Sequence, residues 1–193
     1  MMRFSKRLIL GSASPRRREL LEGLGIPFTV DTRNTFEESM DESVPPRAIP
    51  SLMSEGKSLG FHRPLDDDEV LITSDTVVIA GDSVLGKPHS REEAEKMLEL
   101  LSSRTHEVVT AVTLRDSSHY ITFSDTTYVT FKALTKEEIA YYIDSCSPFD
   151  KAGAYGIQEW IGFIGITGIE GSFYNVMGFP VHRVYEELGR FCG

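Results

Sequence analysis

The sequence predicts an α/β domain, and three observations carry that expectation. A short apolar run, Leu8-Ile9-Leu10, passes through Gly11-Ser12-Ala13 into a helix start at Ser14-Pro15. A second run, over residues 70–80, is the strongest strand in the chain, and helical stripes alternate with strands on either side of it. Segments rich in Thr, Val and aromatics at 105–114 and 119–131 meet through a polar turn at 115–118 and read as an antiparallel pair. With 193 residues, 40% of them hydrophobic, the chain can bury a substantial core within one domain.

Ser14 is a good N-cap, and Pro15 suits the first helical position because its missing N–H would go unsatisfied there. Leu20, Leu21 and Leu24 then share one helical face, and Gly25 ends the helix as its C′ residue. Residues 27–30 form the next strand. The segment 31–50 is polar, acidic and rich in Pro and Ser, so it reads as a long loop with a helix beginning near its end. It holds Glu37, Glu38, Asp41 and Glu42, and loops of this length often carry function. A helix over 48–61 bears Lys57 in its C-terminal half, where the macrodipole favours a cation.

Residues 62–69 read as a surface connection ending in Asp66-Asp67-Asp68-Glu69, and consecutive carboxylates do not converge on one metal in most backbones. Gly81-Asp82-Ser83 is a turn after the long strand. Ser90 caps the next helix, with Glu93 completing a capping box and Ala94, Met97, Leu98 and Leu101 forming its buried stripe. The same box recurs with Thr135 at the start of a helix over 135–144. Gly162, Gly165, Gly168 and Gly171 mark turns between short strands, and 180–190 closes the chain as an amphipathic helix.

Charge narrows the function. The net charge of -9 argues against nucleic acid polymers and acidic membranes as partners, yet residues 1–33 carry a local +4. A small anion could be held by that basic patch. Cys146 and Cys192 have no metal-type spacing and read as reduced thiols of a cytoplasmic protein. Leu8-Ile9-Leu10 is too short for a signal peptide, and no apolar run approaches membrane-spanning length.

The helix start at Ser14 brings free backbone N–H groups together with Arg16, Arg17 and Arg18, which is the chemistry of a phosphate site. An ordinary βα junction with solvated arginines is the alternative. Asp75 stands out because a carboxylate in an apolar strand is costly unless it is paired, metal-bound or open to a cleft. A structural Asp bonded to nearby N–H groups would also fit. Residues 81–87 match G-x-x-x-x-G-K, but Pro88 replaces the hydroxyl residue of a P-loop and disfavours helix at Lys87, so only Lys87 is kept as a phosphate ligand. The small residues of 147–158 allow close backbone approach, with Asp150, Lys151 and Gln158 supplying charge and an amide.

Taken in order, Ser12-Ala13-Ser14-Pro15-Arg16-Arg17, Ser74-Asp75-Thr76-Val77-Val78, Gly86-Lys87-Pro88 and Lys151-Ala152-Gly153-Ala154-Tyr155-Gly156-Ile157-Gln158 resemble the Maf family of nucleoside triphosphate pyrophosphatases. The resemblance implies a mixed, twisted sheet flanked by helices, elongated and two-lobed around a central cleft, similar to inosine triphosphate pyrophosphatases. It implies hydrolysis of a nucleoside triphosphate to the monophosphate and pyrophosphate with a divalent cation, Mg²⁺ or Mn²⁺. Gly156-Ile157-Gln158 is similar to the branch acting on dTTP and UTP, with modified pyrimidine nucleotides as further candidates. The implied partner is the nucleotide substrate, and a homodimer is a candidate assembly that the resemblance does not itself imply.

Position by position, the resemblance makes Asp75 the general base and ties Arg16, Thr76 and Gln158 to base choice. Ser12, Arg17, Lys57 and Lys87 fall at phosphate-site or catalytic positions, and Glu38 rather than Glu37 matches the loop glutamate. Two departures are visible. The usual Ala-x-x-Lys-Ala around the middle lysine reads Met53-Ser54-Glu55-Gly56-Lys57-Ser58 here, and Glu159 stands where a glycine often follows the glutamine.

Attack of water on the α-phosphorus needs a base, cations and a metal. Asp75 serves as base or as metal ligand, with Glu38 the partner carboxylate for the metal. Gln158 offers an acceptor and a donor that match N3–H and O4 of uracil or thymine. A catalytically idle nucleotide-binding regulator of cell division on the same fold is the alternative function.

Overall fold

A computed structural model describes residues 5–38 and 43–193; Asp41 and Glu42 of the acidic loop lie outside the described residues. β1 (Arg7–Leu10), α1 (Pro15–Gly23) and β2 (Phe28–Val30) form a parallel βαβ unit, with Leu8 in register with Phe28. A single 3₁₀ turn at Pro46–Ala48 leads into α2 (Ile49–Leu59), and β3 (Glu69–Ala80) pairs parallel to β1, Leu10 beside Ile72. Strands in such a setting are apolar on both faces. Leu8, Ile9, Leu10, Val70, Leu71 and Ile72 are accordingly all buried.

β3 turns back at Gly81, whose φ of +61° favours glycine, into β4 (Ser83–Leu85), antiparallel with Ala80 opposite Ser83. The sequence reading has only a turn here, because three residues with one buried side chain carry no periodic signal. α3 (Arg91–Leu101), β5 (Thr105–Arg115), β6 (Tyr120–Phe131) and α4 (Lys136–Cys146) follow, then α5 (Trp160–Gly165), β7 (Ile166–Glu170), α6 (Phe173–Val176) and α7 (Val181–Cys192). The sheet order is β2-β1-β3-β5-β6-β7 with β4 on β3, and β7 is antiparallel to β6. The sheet is therefore mixed and flanked by helices.

Two compact units share the chain. One runs to Asp75 and takes in Thr110–Asp125 and Gly178–Gly193; the other comprises Thr76–Val109 and Thr126–Met177. The first unit's core includes Leu10, Leu21, Ile72, Leu114, Val184 and Leu188. In the second unit Ala94, Met97, Leu98 and Leu101 of α3 are all buried, the stripe expected from their spacing, and pack with Phe131 and Tyr142.

Some local expectations are corrected. Ser90 Oγ accepts the Glu93 N–H as a cap should, but the Glu93 carboxylate takes the N–H of His89 at 2.7 Å, so the box does not close on Ser90. At α4 the box is reciprocal, Thr135 Oγ1 accepting from Glu138 N–H and Glu138 Oε2 from Thr135 N–H. Gly162 and Gly165 lie in α5 and Gly168 in β7, so of the four spaced glycines Gly171, with φ +120°, is the one that follows a strand end. A Cβ on Gly162 would sit 1.9 Å from the Ile157 carbonyl oxygen, which explains that glycine by packing. The 62–69 connection is not wholly superficial: Leu65 and Glu69 are buried. No helix among the described residues is long and apolar enough to cross a membrane.

Candidate active site

Within the first unit, the β1–α1 turn is organised by side chains. Ser14 Oγ caps α1 by accepting the Arg17 N–H, and Ser12 Oγ accepts from the Ser14 N–H at 3.3 Å. Arg17 folds back over this turn, donating from one terminal nitrogen to Ser12 Oγ at 3.3 Å and to the Ser74 carbonyl at 2.8 Å, and from Nε to the Gly178 carbonyl at 2.9 Å. It thus fastens the turn to β3 one residue before Asp75. Burial draws its pKa down from the usual arginine value, while Asp75 pulls it up, Arg16 pushes it down and Glu38 pulls it up. A guanidinium stays protonated regardless. Arg18 points elsewhere and pairs with Glu22 in an exposed i,i+4 contact.

Asp75 and Thr76 are the half-buried positions in the otherwise buried middle of β3. The Asp75 carboxylate is paired: its Oδ1 lies 2.6 Å from Lys57 Nζ, and the same ammonium is 2.9 Å from Glu38 Oε1. Lys57 reaches this point because α2 lies close to the sheet. Ser54 and Ser58, the departures from alanine in the lysine motif, are fully buried. Ser54 Oγ bonds the Thr73 carbonyl and Thr113 Oγ1, and Ser58 Oγ accepts from Arg115. Serine keeps the small size that close approach requires and adds hydrogen bonds to β3 and β5.

Glu38 is brought to Lys57 by the preceding segment. Thr35 N–H and hydroxyl both donate to the Gly60 carbonyl, Asn34 donates to the Lys57 carbonyl, and Asn34 Oδ1 accepts the Phe36 N–H at 2.7 Å. The Phe36 ring lies directly on Gly56, where a Cβ would come within 2.3 Å of it, and a Cβ on Gly60 would meet Phe36 at 2.7 Å. Sequence reasoning did not single out this strap. Two glycines four apart, Gly56 within α2 and Gly60 just after its end, on either side of the key lysine were the available signal.

For a divalent metal, the donor chemistry fits in kind. Glu38 and Asp75 offer hard carboxylate oxygens at one place, and Mg²⁺ or Mn²⁺ is commonly held by one or two carboxylates together with waters and substrate phosphates. No group of three or more His, Cys, Asp or Glu suited to a metal occurs among the described residues. The acidic run is occupied by ion pairs instead, Asp66 and Asp68 with Arg7, and Glu69 with Arg63.

The remaining candidates, Thr76, Lys87 and Gln158, belong to the second unit. Lys87 is exposed just beyond β4, and the Gly86 carbonyl before it accepts the Gly153 N–H at 3.0 Å, which ties Lys87 to the 151–158 segment. Gly153 needs its left-handed φ of +69°, and a Cβ there would strike Val78 at 2.9 Å. Gln158 is half-buried, and its Oε1 is buried without a hydrogen-bond donor from the protein. Lys151, an expected source of ligand charge, turns inward: its ammonium sits 2.7 Å from Asp150 and 3.0 Å from Glu159. Glu159 also accepts from the Tyr142 hydroxyl, whose pKa is driven upward by burial and by that carboxylate. His106 is buried against Phe131 and bonds Tyr155 OH at 2.8 Å; burial lowers its pKa to about 4.

Comparison with known proteins adds to this geometry. A family model described as "Maf-like protein" matches residues 7–191. The dTTP/UTP pyrophosphatase of Parabacteroides distasonis is 47% identical over 185 residues, covering 96% of each chain. That of Phocaeicola vulgatus is 48% identical over 182 residues and 94% of each chain. The dTTP/UTP pyrophosphatase of Flavobacterium johnsoniae is 42% identical over 182 residues, 94% of this chain and 93% of its own.

Proposed function

The chain belongs to the Maf family, and from that membership we propose that it is a nucleoside triphosphate diphosphatase hydrolysing dTTP and UTP to the monophosphate and pyrophosphate. The observation that carries the reading is the meeting of Asp75, Lys57 and Glu38 beside the Arg17-bound β1–α1 turn. Names of relatives alone would leave open an idle binding protein. A half-buried carboxylate with a second, solvent-open carboxylate beside it supplies a base and oxygens for a metal, which hydrolysis uses and a passive binder does not need.

In this reading water attacks the α-phosphorus, the bond from that phosphorus to the bridging oxygen breaks, and pyrophosphate leaves. Asp75 takes the proton of the attacking water, and Lys57, 2.6 Å from Oδ1, orients its carboxylate. Arg16, Arg17 and Lys87 disperse charge on the phosphates, and Ser12 contributes its hydroxyl. Glu38 and Asp75 would hold Mg²⁺ or Mn²⁺, which when bound supplies Lewis-acid polarisation of the phosphate oxygens. Gln158, with Thr76, contacts the base, its acceptor meeting N3–H and its donor meeting O4. A cytoplasmic setting agrees with Cys146 and Cys192 being free thiols.

A panel of nucleoside triphosphates assayed in parallel for pyrophosphate and orthophosphate, with Mg²⁺ or Mn²⁺ present, tests the reading. The expected result is pyrophosphate and monophosphate in equal amounts from dTTP and UTP. Orthophosphate as the product, or tight nucleotide binding without turnover, would defeat it.

A further inference from the structure

We propose that Glu159 is a positioning residue for base recognition, fixing the Gln158 amide through a ring of contacts closed within the same turn; this rests on the dTTP/UTP reading above. Glu159 follows Gln158 directly, yet its side chain turns back into the protein. Oε1 lies 3.0 Å from Lys151 Nζ, and Oε2 accepts the Tyr142 hydroxyl. That hydroxyl in turn accepts the Gly156 N–H at 2.9 Å. The first residue of the turn, its middle and its end are thereby held to one another and to α4, from which Tyr142 projects fully buried.

The backbone is shaped around this carboxylate. A Cβ on Gly156 would come within 2.8 Å of Glu159 Cδ, so glycine there is matched to glutamate at 159. Glu159 N–H donates to the Gly156 carbonyl at 3.0 Å, and its own carbonyl accepts the Gly162 N–H at 2.9 Å, which closes the turn against α5. Lys151 is only 8% exposed, so its ammonium is desolvated and depends on Asp150 and Glu159 for compensation. A buried pair of this kind adds little net stability compared with apolar packing, but it holds geometry strictly because breaking it is costly.

What that geometry serves is the residue between. Gln158 Oε1 is buried and receives no hydrogen bond from the protein. A buried acceptor is expensive until a donor meets it, and it discriminates between ligands only when it cannot swing to another partner. Uracil and thymine offer an N3–H donor; cytosine has a bare acceptor at N3. With its neighbour locked to Lys151 and Tyr142, the Gln158 backbone is fixed, and the amide is held for the bases that carry N3–H.

The test is steady-state kinetics of wild type, Glu159→Ala, Glu159→Gln, Tyr142→Phe and Gln158→Ala with dTTP, UTP, dCTP and CTP, each variant's melting followed in parallel. Glu159→Ala should raise KM for dTTP and UTP about tenfold with kcat within about twofold. The dTTP-to-dCTP ratio of kcat/KM should fall toward that of Gln158→Ala, and combining the two substitutions should lower it no further. Glu159→Gln, which keeps one acceptor oxygen and puts an NH2 group where the other stood, should raise KM less than Glu159→Ala does. Tyr142→Phe should shift the same ratio in the same direction, and it carries the test if the alanine variant does not fold. An unmoved base ratio in Glu159→Ala or Tyr142→Phe, while Gln158→Ala moves it, overturns this inference alone. A wild type inactive on dTTP and UTP overturns the functional reading and this inference with it.

Discussion

Lys57 and Asp75 form an ion pair at 2.6 Å, and the same ammonium holds Glu38 at 2.9 Å. The two carboxylates differ in setting. Asp75 is 17% exposed at the side chain and Glu38 62%, so one is fixed in the strand and the other is open to solvent. Asp75→Asn preserves shape but removes the base, and turnover of dTTP should fall by about 10²- to 10⁴-fold. Circular dichroism and the melting temperature should stay near wild type, because the partner left behind is a lysine with Glu38 still beside it. Unchanged turnover would take Asp75 out of the chemistry.

Gly56 provides a test at one remove from the reacting groups. A methyl group there would meet the Phe36 ring at 2.3 Å, so Gly56→Ala must lift the strap that brings Glu38 to Lys57. Overpacking of this kind costs about 1–3 kcal/mol, and activity should drop along with stability. Gly23, also helical, has open space where its Cβ would lie, so Gly23→Ala should be neutral or stabilising by up to about 1 kcal/mol with activity retained. Urea titration and pyrophosphate release on both variants decide this; a Gly56→Ala protein of wild-type activity would mean that the strap does not position Glu38.

The two helix boxes separate a reciprocal cap from a one-sided one. Thr135→Ala removes one arm of a closed box and should destabilise by about 1 kcal/mol, with Glu138→Ala costing a similar amount because both its carboxylate oxygens are engaged, by Thr135 N–H and by Lys132. Ser90→Ala should cost as much, but Glu93→Ala should act through the His89 N–H and leave the Ser90 cap intact. Chemical denaturation of the four single variants and the two double variants reads the coupling, which should be larger at α4.

Features set by neighbouring residues were legible in the sequence. Asp75 was visible because a carboxylate inside an apolar strand is costly unless it is paired, metal-bound or open to a cleft, and the α3 stripe was visible because its four apolar residues recur at helical spacing. The caps at Ser14, Ser90 and Thr135 follow from side chains that reach only three residues along. What stayed hidden depends on distance along the chain. Phe36 on Gly56, and Lys151 turned toward Glu159 rather than toward a ligand, are contacts whose partners no local pattern names. β4 escaped because three residues are too few for a period, and the Gly162 spacing misled because its cause is a carbonyl five residues back, not a turn.

His106 gives a pH dependence with a definite sign. It is 2% exposed, stacked on Phe131 and bonded to Tyr155, and burial lowers its pKa from 6.5 to about 4. Between those values the unfolded chain binds a proton that the folded protein does not, so stability rises with pH across the window and is lost as pH falls from about 6.5 toward 4. The full loss is about 3 kcal/mol at most, and it is complete once both states are protonated. Carboxylates follow lower down. Burial would raise the pKa of Asp116, but the N–H groups of Ser118 and His119 and the Ser118 hydroxyl hold it below the usual carboxylate range, so its contribution fades only under more acid conditions. Urea unfolding at intervals from pH 7.5 to 4 should therefore show a decline beginning near neutrality in the wild type. In His106→Gln, whose amide can still bond Tyr155, the decline above about pH 5 should disappear, leaving only the carboxylate part. A wild-type profile already flat between pH 7 and 5 would place His106 in a less buried environment than its packing against Phe131 and Tyr155 describes.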